Sequence, residues 1–198
     1  GVPLTTLRIN YTSGLENLVK NPPATVQSLY YAGTDYPALD LSEYPSLVGY
    51  GVPRHVTELD ITNTNIRDLG VDDSGLKYST LKAKDGIYVG GRTLYPVPGL
   101  VKNEYDEYVI QNGDTIDLSS EAMIGGVASV YTWVKTEDRV EANDAFRQVE
   151  GKPGVFVANG ALGKSYFCII ANEKYVREGW TINSWSGWRL ETDWMRIQ

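Results

Sequence analysis

Leu39-Asp40-Leu41-Ser42 and Leu59-Asp60-Ile61-Thr62 are two copies of one pattern, and they lie twenty residues apart. In each copy an Asp stands between two aliphatic residues, and a hydroxyl residue follows. The first copy continues to Leu47, and the second belongs to a segment that runs from Val56 to Ile66. A pattern that returns at a fixed spacing of about twenty residues indicates a solenoid, in which the chain winds in successive similar coils.

The pattern extends in both directions as a unit of about ten residues with apolar side chains at positions 1, 4 and 6. Positions 4 and 6 suit a short strand, whereas the spacing of an amphipathic helix is missing. Two units make a strand–turn–strand–turn coil of about 21 residues, within the range of leucine-rich repeats. We therefore predict a mainly β chain whose residues 1–87 form a short solenoid of about four coils. The complete units are Leu4/Leu7/Ile9, Val26/Leu29/Tyr31, Tyr36/Leu39/Leu41, Leu47/Tyr50/Val52, Val56/Leu59/Ile61 and Ile66/Leu69/Val71, and imperfect ones begin at Leu15 and Leu76.

Residues 4 to 85 resemble the leucine-rich repeats of surface and secreted proteins from gut anaerobic bacteria. Those arrays run leucine, Asp, aliphatic, Ser, x, Asn, x, x, leucine, and both copies quoted above reproduce the start of that order. The sequence departs from the family where Tyr44 and Thr64 stand in place of the repeated Asn. The resemblance implies a leucine-rich-repeat domain outside the cell or on its surface. Because a solenoid needs its first coil covered, an upstream domain or a partner is the expected cap for Val2 and Leu4.

The second half of the chain follows different rules. Gly90-Gly91 and Pro96-Val97-Pro98-Gly99 punctuate a segment that we predict to be a linker at 88–102. In residues 103–198, short runs alternate apolar and polar residues between turns, which is typical of an antiparallel β-sandwich. The predicted strands lie within 112–119, 130–135, 154–158, 164–171 and 188–197.

Trp133, followed by Tyr166-x-Cys168, resembles the immunoglobulin-like domains that bacteria attach to leucine-rich repeats. The resemblance implies that Trp133 lies in the core, that Tyr166 forms the corner hydrogen bond and that Cys168 is the strand-F residue. The strand-B cysteine of that family is missing, and Ile116 or Leu118 stands in its place. Cys168 is therefore expected to be a buried free thiol that packs as a small hydrophobe.

Composition and motifs argue against several classes of function. The net charge of −7 argues against a nucleic-acid partner, and no apolar run reaches the length of a membrane span. A single Cys excludes an internal disulfide and a Cys-based zinc site. The lone His55 has no signalled partner for catalysis, and Asp72-Asp73-Ser74-Gly75 lacks the spacing of a calcium loop. We therefore predict no enzyme, no catalytic residue, no cofactor and no metal.

The solenoid offers two candidate binding surfaces. One strand stack would carry the acidic residues Glu16, Asp40, Glu58 and Asp60. The other would carry the mixed set Thr5, Arg8, Gln27, Tyr30, Arg67 and Asp68. Repeat arrays commonly bind partners on such faces, so the first hypothesis is adhesion or protein recognition through the repeat face. The alternative is a solvated face that keeps sheet edges from associating, in which case the chain is a rigid structural spacer.

A third candidate surface is the Trp-rich segment from 175 to 194. Trp180 and Trp185 lie in a loop rich in Gly and Ser, so they are the Trp residues expected to be exposed. Exposed aromatic side chains beside amides suit stacking on sugar rings or a protein hot spot. This segment supports a second hypothesis, a carbohydrate-binding surface module. The alternative is a core role, in which at least one of Trp188 and Trp194 is buried.

Overall fold

The computed structural model describes residues 2–9, 14–15, 17, 20–31, 34–175 and 187–198. Within these residues the chain is mainly β-strand, turn and extended segment, so the prediction of a mainly β protein is confirmed. The chain divides into two compact units. Unit 1 contains Gly1–Thr93 and Lys174–Trp188, and unit 2 contains Leu94–Glu173 and Arg189–Gln198.

The strands of unit 1 wind as a parallel solenoid. The strands are β1 Thr6–Arg8, β2 Ser28–Tyr30, β3 Gly49–Gly51, β4 Leu59–Asp60, β5 Asp68–Gly70, β6 Leu81–Lys82 and β7 Tyr88–Tyr95. One parallel sheet has the order β1-β2-β3-β5-β7, and β4 pairs with β6 in a second parallel pair. Paired residues of the first sheet lie 19 to 22 positions apart along the chain, so each coil has about the length of a leucine-rich repeat.

One position of the repeat forms a continuous stack through the interior of the solenoid. Leu7, Leu29, Tyr50, Leu69 and Val89 are successive partners across the sheet. The last four are fully buried, because strand alternation turns the middle residue of each short strand inward. The predicted stack of apolar rungs is therefore present from the second coil onward. The first coil differs, since Leu4 and Leu15 are 46% and 38% exposed.

Side chains tie successive coils together at the corners. Each of four donors reaches the backbone carbonyl of a residue 20 to 24 positions earlier, which is the preceding coil. These donors differ in residue type from corner to corner, and they include Tyr44, where the repeat pattern quoted above has Asn. The bonds are Thr25 Oγ1 to Leu4 O at 2.7 Å, Tyr44 OH to Lys20 O at 2.9 Å, Asn65 Nδ2 to Pro45 O at 2.8 Å and Lys84 Nζ to Thr64 O at 3.4 Å.

Two tyrosines place hydroxyl groups inside the solenoid. The hydroxyls of Tyr31 and Tyr50 hydrogen-bond to each other at 2.6 Å, and Leu39 N donates to the Tyr50 hydroxyl at 3.4 Å. Burial raises the pKa of both phenols above the ordinary value. Because a buried hydroxyl without a partner is costly, this pairing allows Tyr to occupy positions that the pattern otherwise gives to aliphatic residues.

A segment from late in the chain completes unit 1. Tyr78 lies in the 3₁₀ turn Tyr78–Thr80 and stacks on Tyr175 with ring centroids 5.8 Å apart. Its ring also meets Trp188 edge-on at 4.5 Å, and its hydroxyl donates to the Trp188 carbonyl at 2.8 Å. Trp188 Nε1 in turn donates to Thr93 Oγ1 at 3.1 Å. The part of the solenoid next to β6 is thus covered by residues that follow it by about a hundred positions.

Unit 2 contains two sheets. Its strands are β8 Tyr108–Ile110, β9 Thr115–Asp117, β10 Met123–Ile124, β11 Val127–Lys135, β12 Phe146–Gln148, β13 Val155–Ala158, β14 Ser165–Asn172, β15 Trp188–Thr192, which begins in unit 1, and β16 Met195–Ile197. Strands β9, β13 and β12 form one antiparallel sheet. In the other sheet β14 pairs antiparallel with β11, β15 and β16, while β10 extends it beside β11 and β8 joins β16 in parallel.

Aromatic rings from both sheets meet in the core of unit 2. Trp133 on β11 stacks on Phe146 of β12 at 3.6 Å and meets Phe156 of β13 edge-on at 5.4 Å. Trp133 and Cys168 are directly paired across β11 and β14, and both are buried. The Tyr166 hydroxyl accepts a hydrogen bond from Ala161 N at 3.1 Å, just upstream of β14. The two sheets therefore face each other across a shared aromatic core.

We expect Trp188→Ala to destabilise the chain by about 3–5 kcal/mol, because it removes a large buried ring and the contacts with Tyr78. Urea unfolding measures the loss, and hydrogen exchange should show faster exchange at β6 and Tyr78–Thr80. Trp194→Ala is the matched control, since Trp194 is 52% exposed and Trp188 only 2%. Equal stability of the two variants would contradict the covering role of Trp188.

We expect the Cys168 thiol to be unreactive in the native chain. Burial raises its pKa well above the ordinary value, so the reactive thiolate is scarce, and the sulfur is also shielded from reagents. Labelling with a thiol-specific reagent should proceed only at the rate of unfolding and become fast in urea. Native-state labelling as fast as that of a free cysteine would contradict the buried position.

Candidate functional site

The exposed side of the β1-β2-β3-β5-β7 sheet carries two rows of outward-facing residues. Strand alternation directs the first and third residues of each short strand away from the core, while the middle residue is buried. Register then aligns them across the coils. We call these two rows the sheet face. The rows are Thr6, Ser28, Gly49, Asp68 and Tyr88, and Arg8, Tyr30, Gly51, Gly70 and Gly90.

Glycines on the sheet face make room for the Tyr30 side chain. A Cβ added to Gly49 would lie 2.6 Å from the Tyr30 hydroxyl, and one added to Gly51 would lie 2.8 Å from the Tyr30 Cα. At Gly70 the nearest atom would be Tyr30 Cδ1 at 3.5 Å. The Tyr30 ring therefore crosses β3 close to the backbone and reaches β5. Any larger residue at Gly49 would push the ring out of this position.

Tyr30 joins charged groups from strands on either side. Its hydroxyl lies beside Gly49, which is the strand partner of Asp68, and the Arg8 guanidinium carbon lies 5.0 Å from its ring centroid. Burial, together with the negative charge of the nearby Asp68, raises the pKa of Tyr30 to about 12. The phenol is thus neutral at physiological pH. Arg8, Tyr30 and Asp68 form one connected group from β1 to β5.

Tyr88 brings a second phenol to the same face. A Cβ added to Gly90 would lie 2.8 Å from the Tyr88 hydroxyl, so the Tyr88 side chain also lies against the backbone, along its own strand. Tyr88 is the strand partner of Asp68 across β5 and β7, which places this phenol beside that carboxylate. Both rings are half-buried by the sheet on which they rest. The centre of the sheet face therefore presents two phenols beside one carboxylate.

The Asp residues of the repeat pattern have a local structural role. Asp40 Oδ1 accepts hydrogen bonds from the backbone N and hydroxyl of Ser42 at 3.0 and 2.6 Å. Asp60 Oδ1 does the same with Thr62, at the same two distances. These bonds lower the pKa of both carboxyls, which are exposed. The Asp-x-Ser/Thr pattern is thus explained by a turn that the side chain stabilises.

The predicted acidic residues are distributed over different places. Glu58 and Asp60 line a shallow depression of about 180 Å³ on the β4–β6 pair together with Lys82. Asp60 is the strand partner of Lys82, whose charge also lowers the Asp60 pKa. Asp40 lies at the start of the 3₁₀ turn Leu41–Glu43. Glu16 lies outside the described residues, so the structure describes the acidic set only in part. The cation Lys82 lies beside two of its members, Glu58 and Asp60.

The structure describes only some of the candidate Trp residues of the C-terminal segment. Trp180 and Trp185 lie outside the described residues. Trp188 is buried in unit 1, and Trp194 is exposed in unit 2. The expectation that at least one of Trp188 and Trp194 is buried is therefore met.

Sequence analysis found part of the sheet face and missed the rest. Arg8, Tyr30 and Asp68 belong to the mixed set that the repeat register predicts for one strand stack. The glycines and Tyr88 were missed, because the apolar pattern records only inward positions. An alignment of successive coils would have indicated the glycines, since Gly51, Gly70 and Gly90 occupy the same position in three coils.

Over the described parts of the chain, no three His, Cys, Asp or Glu side chains gather in a group that could hold a metal ion. His55 is exposed. Within the same ranges, no helix has both the length and the apolar character that a bilayer crossing requires.

Comparison with protein-family models gives no match for this chain, and comparison with curated proteins gives none either. Among solved structures, the chain is similar to an internalin-like protein of Listeria monocytogenes, with 12% identity and a TM-score of 0.41. The similarity covers 98% of this chain and 64% of the Listeria chain, so this chain spans less than two thirds of that protein. At this level the match adds nothing to the coil geometry, which the strand registers define directly.

Two glycines of the sheet face are expected to respond differently to Ala. In Gly51→Ala the new methyl would meet backbone atoms of Tyr30 and Tyr31 at 2.8 and 3.0 Å, which cannot move aside. We expect a loss of about 1–3 kcal/mol, as for other overpacked sites. In Gly70→Ala the methyl makes an ordinary contact, and we expect a change between zero and a gain of about 1 kcal/mol. Urea unfolding of both variants checks this difference, and equal losses would contradict it.

Proposed function

We propose that this chain is a non-catalytic recognition module of the bacterial cell exterior, which binds a protein partner through the sheet face. The observation that carries the proposal is the group of Arg8, Tyr30 and Asp68, in which the Tyr30 ring packs against the glycines of β3 and β5. The group lies on the regular, exposed side of a repeat array, which is where such arrays commonly bind partners.

Preorganisation of the two tyrosines supports binding. Ordering a free side chain at an interface costs about 0.5–1.5 kcal/mol, and this cost reduces affinity. Tyr30 is already packed against the glycines beneath it, with its hydroxyl beside the strand partner of Asp68. A partner that meets this face therefore orders few side chains, and it can use the aromatic area directly.

The chemical composition of the face also favours a protein partner. Tyr and Arg are enriched among the residues that dominate protein interfaces. Arg8 and Asp68 present charges of both signs within one connected group, so a partner with complementary charges would be oriented on the face. Phenol hydroxyls add hydrogen-bonding capacity beside apolar ring area.

We propose that unit 1 is a leucine-rich-repeat domain and unit 2 an immunoglobulin-like domain. Three features of unit 2 support this assignment. Trp133 pairs with Cys168 on adjacent strands, Tyr166 precedes that Cys by two residues, and its hydroxyl bonds to the backbone upstream of β14. The proposed location at the cell surface, or secreted from it, rests on the resemblance of the repeats to those of bacterial surface proteins.

The test is a binding screen against purified extracellular domains of bacterial and host surface proteins, followed by variants of the sheet face. For a partner that binds there, Tyr88→Ala and Asp68→Asn should each weaken binding about 30-fold, the effect of losing about 2 kcal/mol at a hot spot. Tyr105→Ala and Glu58→Gln are the matched controls, since they remove an exposed Tyr and an exposed carboxylate elsewhere. Thermal unfolding confirms that each variant is folded.

Two outcomes would contradict the proposal. A partner whose affinity is unchanged by Tyr88→Ala and Asp68→Asn but lost on reversing the charges of Asp40, Glu58 and Asp60 would assign recognition to the acidic residues. No partner at all, across the complete screen, would favour the rigid spacer.

A further inference from the structure

A short hairpin in unit 2 holds an exposed tyrosine in a fixed position. Lys102 and Tyr108 pair as an antiparallel bridge, and Asn103 N donates to Glu107 O at 2.8 Å. The Asn103 side-chain oxygen accepts from the backbone N of Tyr105 and of Glu107 at 2.9 and 3.0 Å. These bonds close the loop on itself, so its tip is ordered although Tyr105 is 75% exposed.

One ammonium group connects this hairpin to the residues before β16. Lys102 Nζ lies 2.8 Å from Asp106 Oδ1 and 2.8 Å from Asp193 Oδ2. Tyr108 N also donates to the Trp194 carbonyl at 2.8 Å. The two carboxylates raise the pKa of Lys102 and keep it charged. Tyr105 precedes Asp106 and Trp194 follows Asp193 in the chain, so the two segments that carry these rings are joined by this ammonium and by the backbone bond.

Exposed apolar side chains flank the residues of this charged network along the chain. Trp194 is half-exposed, and Val101, next to Lys102, is 85% exposed. Large apolar side chains that gather on a surface mark interaction sites more often than scattered ones do. We call this group the hairpin patch, and it consists of Val101, Lys102, Tyr105, Asp106, Asp193 and Trp194.

We propose that the hairpin patch binds a neutral oligosaccharide. Trp and Tyr rings offer flat apolar faces on which the C–H face of a pyranose can lie. Fixed carboxylate oxygens and an ammonium group beside those rings can accept from and donate to sugar hydroxyls. Small-ligand sites combine these same elements, apolar and aromatic area with a few placed polar groups.

Charge balance selects a neutral sugar over an anionic one. The Lys102 ammonium already has two carboxylate partners, so the three charged groups of the patch sum to a negative charge. An anionic polysaccharide would be repelled by Asp106 and Asp193, whereas an uncharged one needs only hydrogen bonds from them. The patch shares no residue with the sheet face, and this inference does not rest on the proposed protein binding.

The test uses the complete chain and a panel of neutral hexasaccharides: cellohexaose, maltohexaose, xylohexaose, mannohexaose and chitohexaose. Calorimetry measures affinity, and ¹H–¹⁵N spectra follow the five indole N–H groups. We expect at least one sugar to bind and to shift the Trp194 indole signal. Trp194→Ala and Tyr105→Ala should each weaken binding about tenfold or more, and Trp194→Phe should retain part of the affinity.

Two controls separate this site from other causes. Leu162→Ala removes another exposed apolar side chain of unit 2, at 69% exposure, and should leave sugar affinity unchanged. Tyr88→Ala on the sheet face should also have no effect, so failure of one proposal can be told from failure of the other. Because Tyr105 lies at the loop tip, its variant keeps the test valid even if Trp194→Ala perturbs the fold.

The proposal is overturned by any of three results. None of the five sugars binds at millimolar concentration, or binding is unchanged in both Trp194→Ala and Tyr105→Ala. The third is stronger binding of heparin than of any neutral sugar, with dependence on Lys102, because that would make the ligand anionic.

Discussion

The in-register stacking of the buried middle residue of each strand on that of the coil before it is the constraint on which the solenoid depends. Leu29, Tyr50, Leu69 and Val89 lie over one another because parallel strands hydrogen-bond residue by residue to the coil before them. A slip of one residue would turn the whole buried set outward. The same register sets the outer surface, since Gly51, Gly70 and Gly90 meet only if the rungs beneath them are aligned. The strand register that aligns the core residues therefore also determines which residues lie together on the sheet face.

Several polar side chains of the solenoid form hydrogen bonds that stabilise its turns and join successive coils. Asp40 and Asp60 are each bonded to the backbone and hydroxyl two residues on, and corner side chains bond to the preceding coil. Groups already engaged in this way offer less to a partner. Asp68 differs, because it lies exposed on a strand of the sheet face and not at a turn. The sheet face is thus a better candidate binding surface than the acidic residues.

Aromatic residues have different roles according to what covers them. Tyr78, Tyr175 and Trp188 close the later part of the solenoid, and Trp133 with Phe146 and Phe156 fills the space between the two sheets of unit 2. Trp194 and Tyr105 remain at the surface beside a charged network. Among the described residues, the aromatic side chains that are at least partly exposed thus include tyrosines on the sheet face and Tyr105 and Trp194 on the hairpin patch.

The sequence by itself determined the solenoid, because burying Leu29, Leu69 and their equivalents requires the same residue type at each turn, and that period is visible along the chain. It also predicted Arg8, Tyr30 and Asp68 as members of one outward stack. Only the tertiary structure decided that the Tyr30 ring crosses β3 to Asp68, and that Trp188 is buried while Trp194 is exposed. Those outcomes depend on contacts between residues distant in the chain, for which a periodic pattern contains no information.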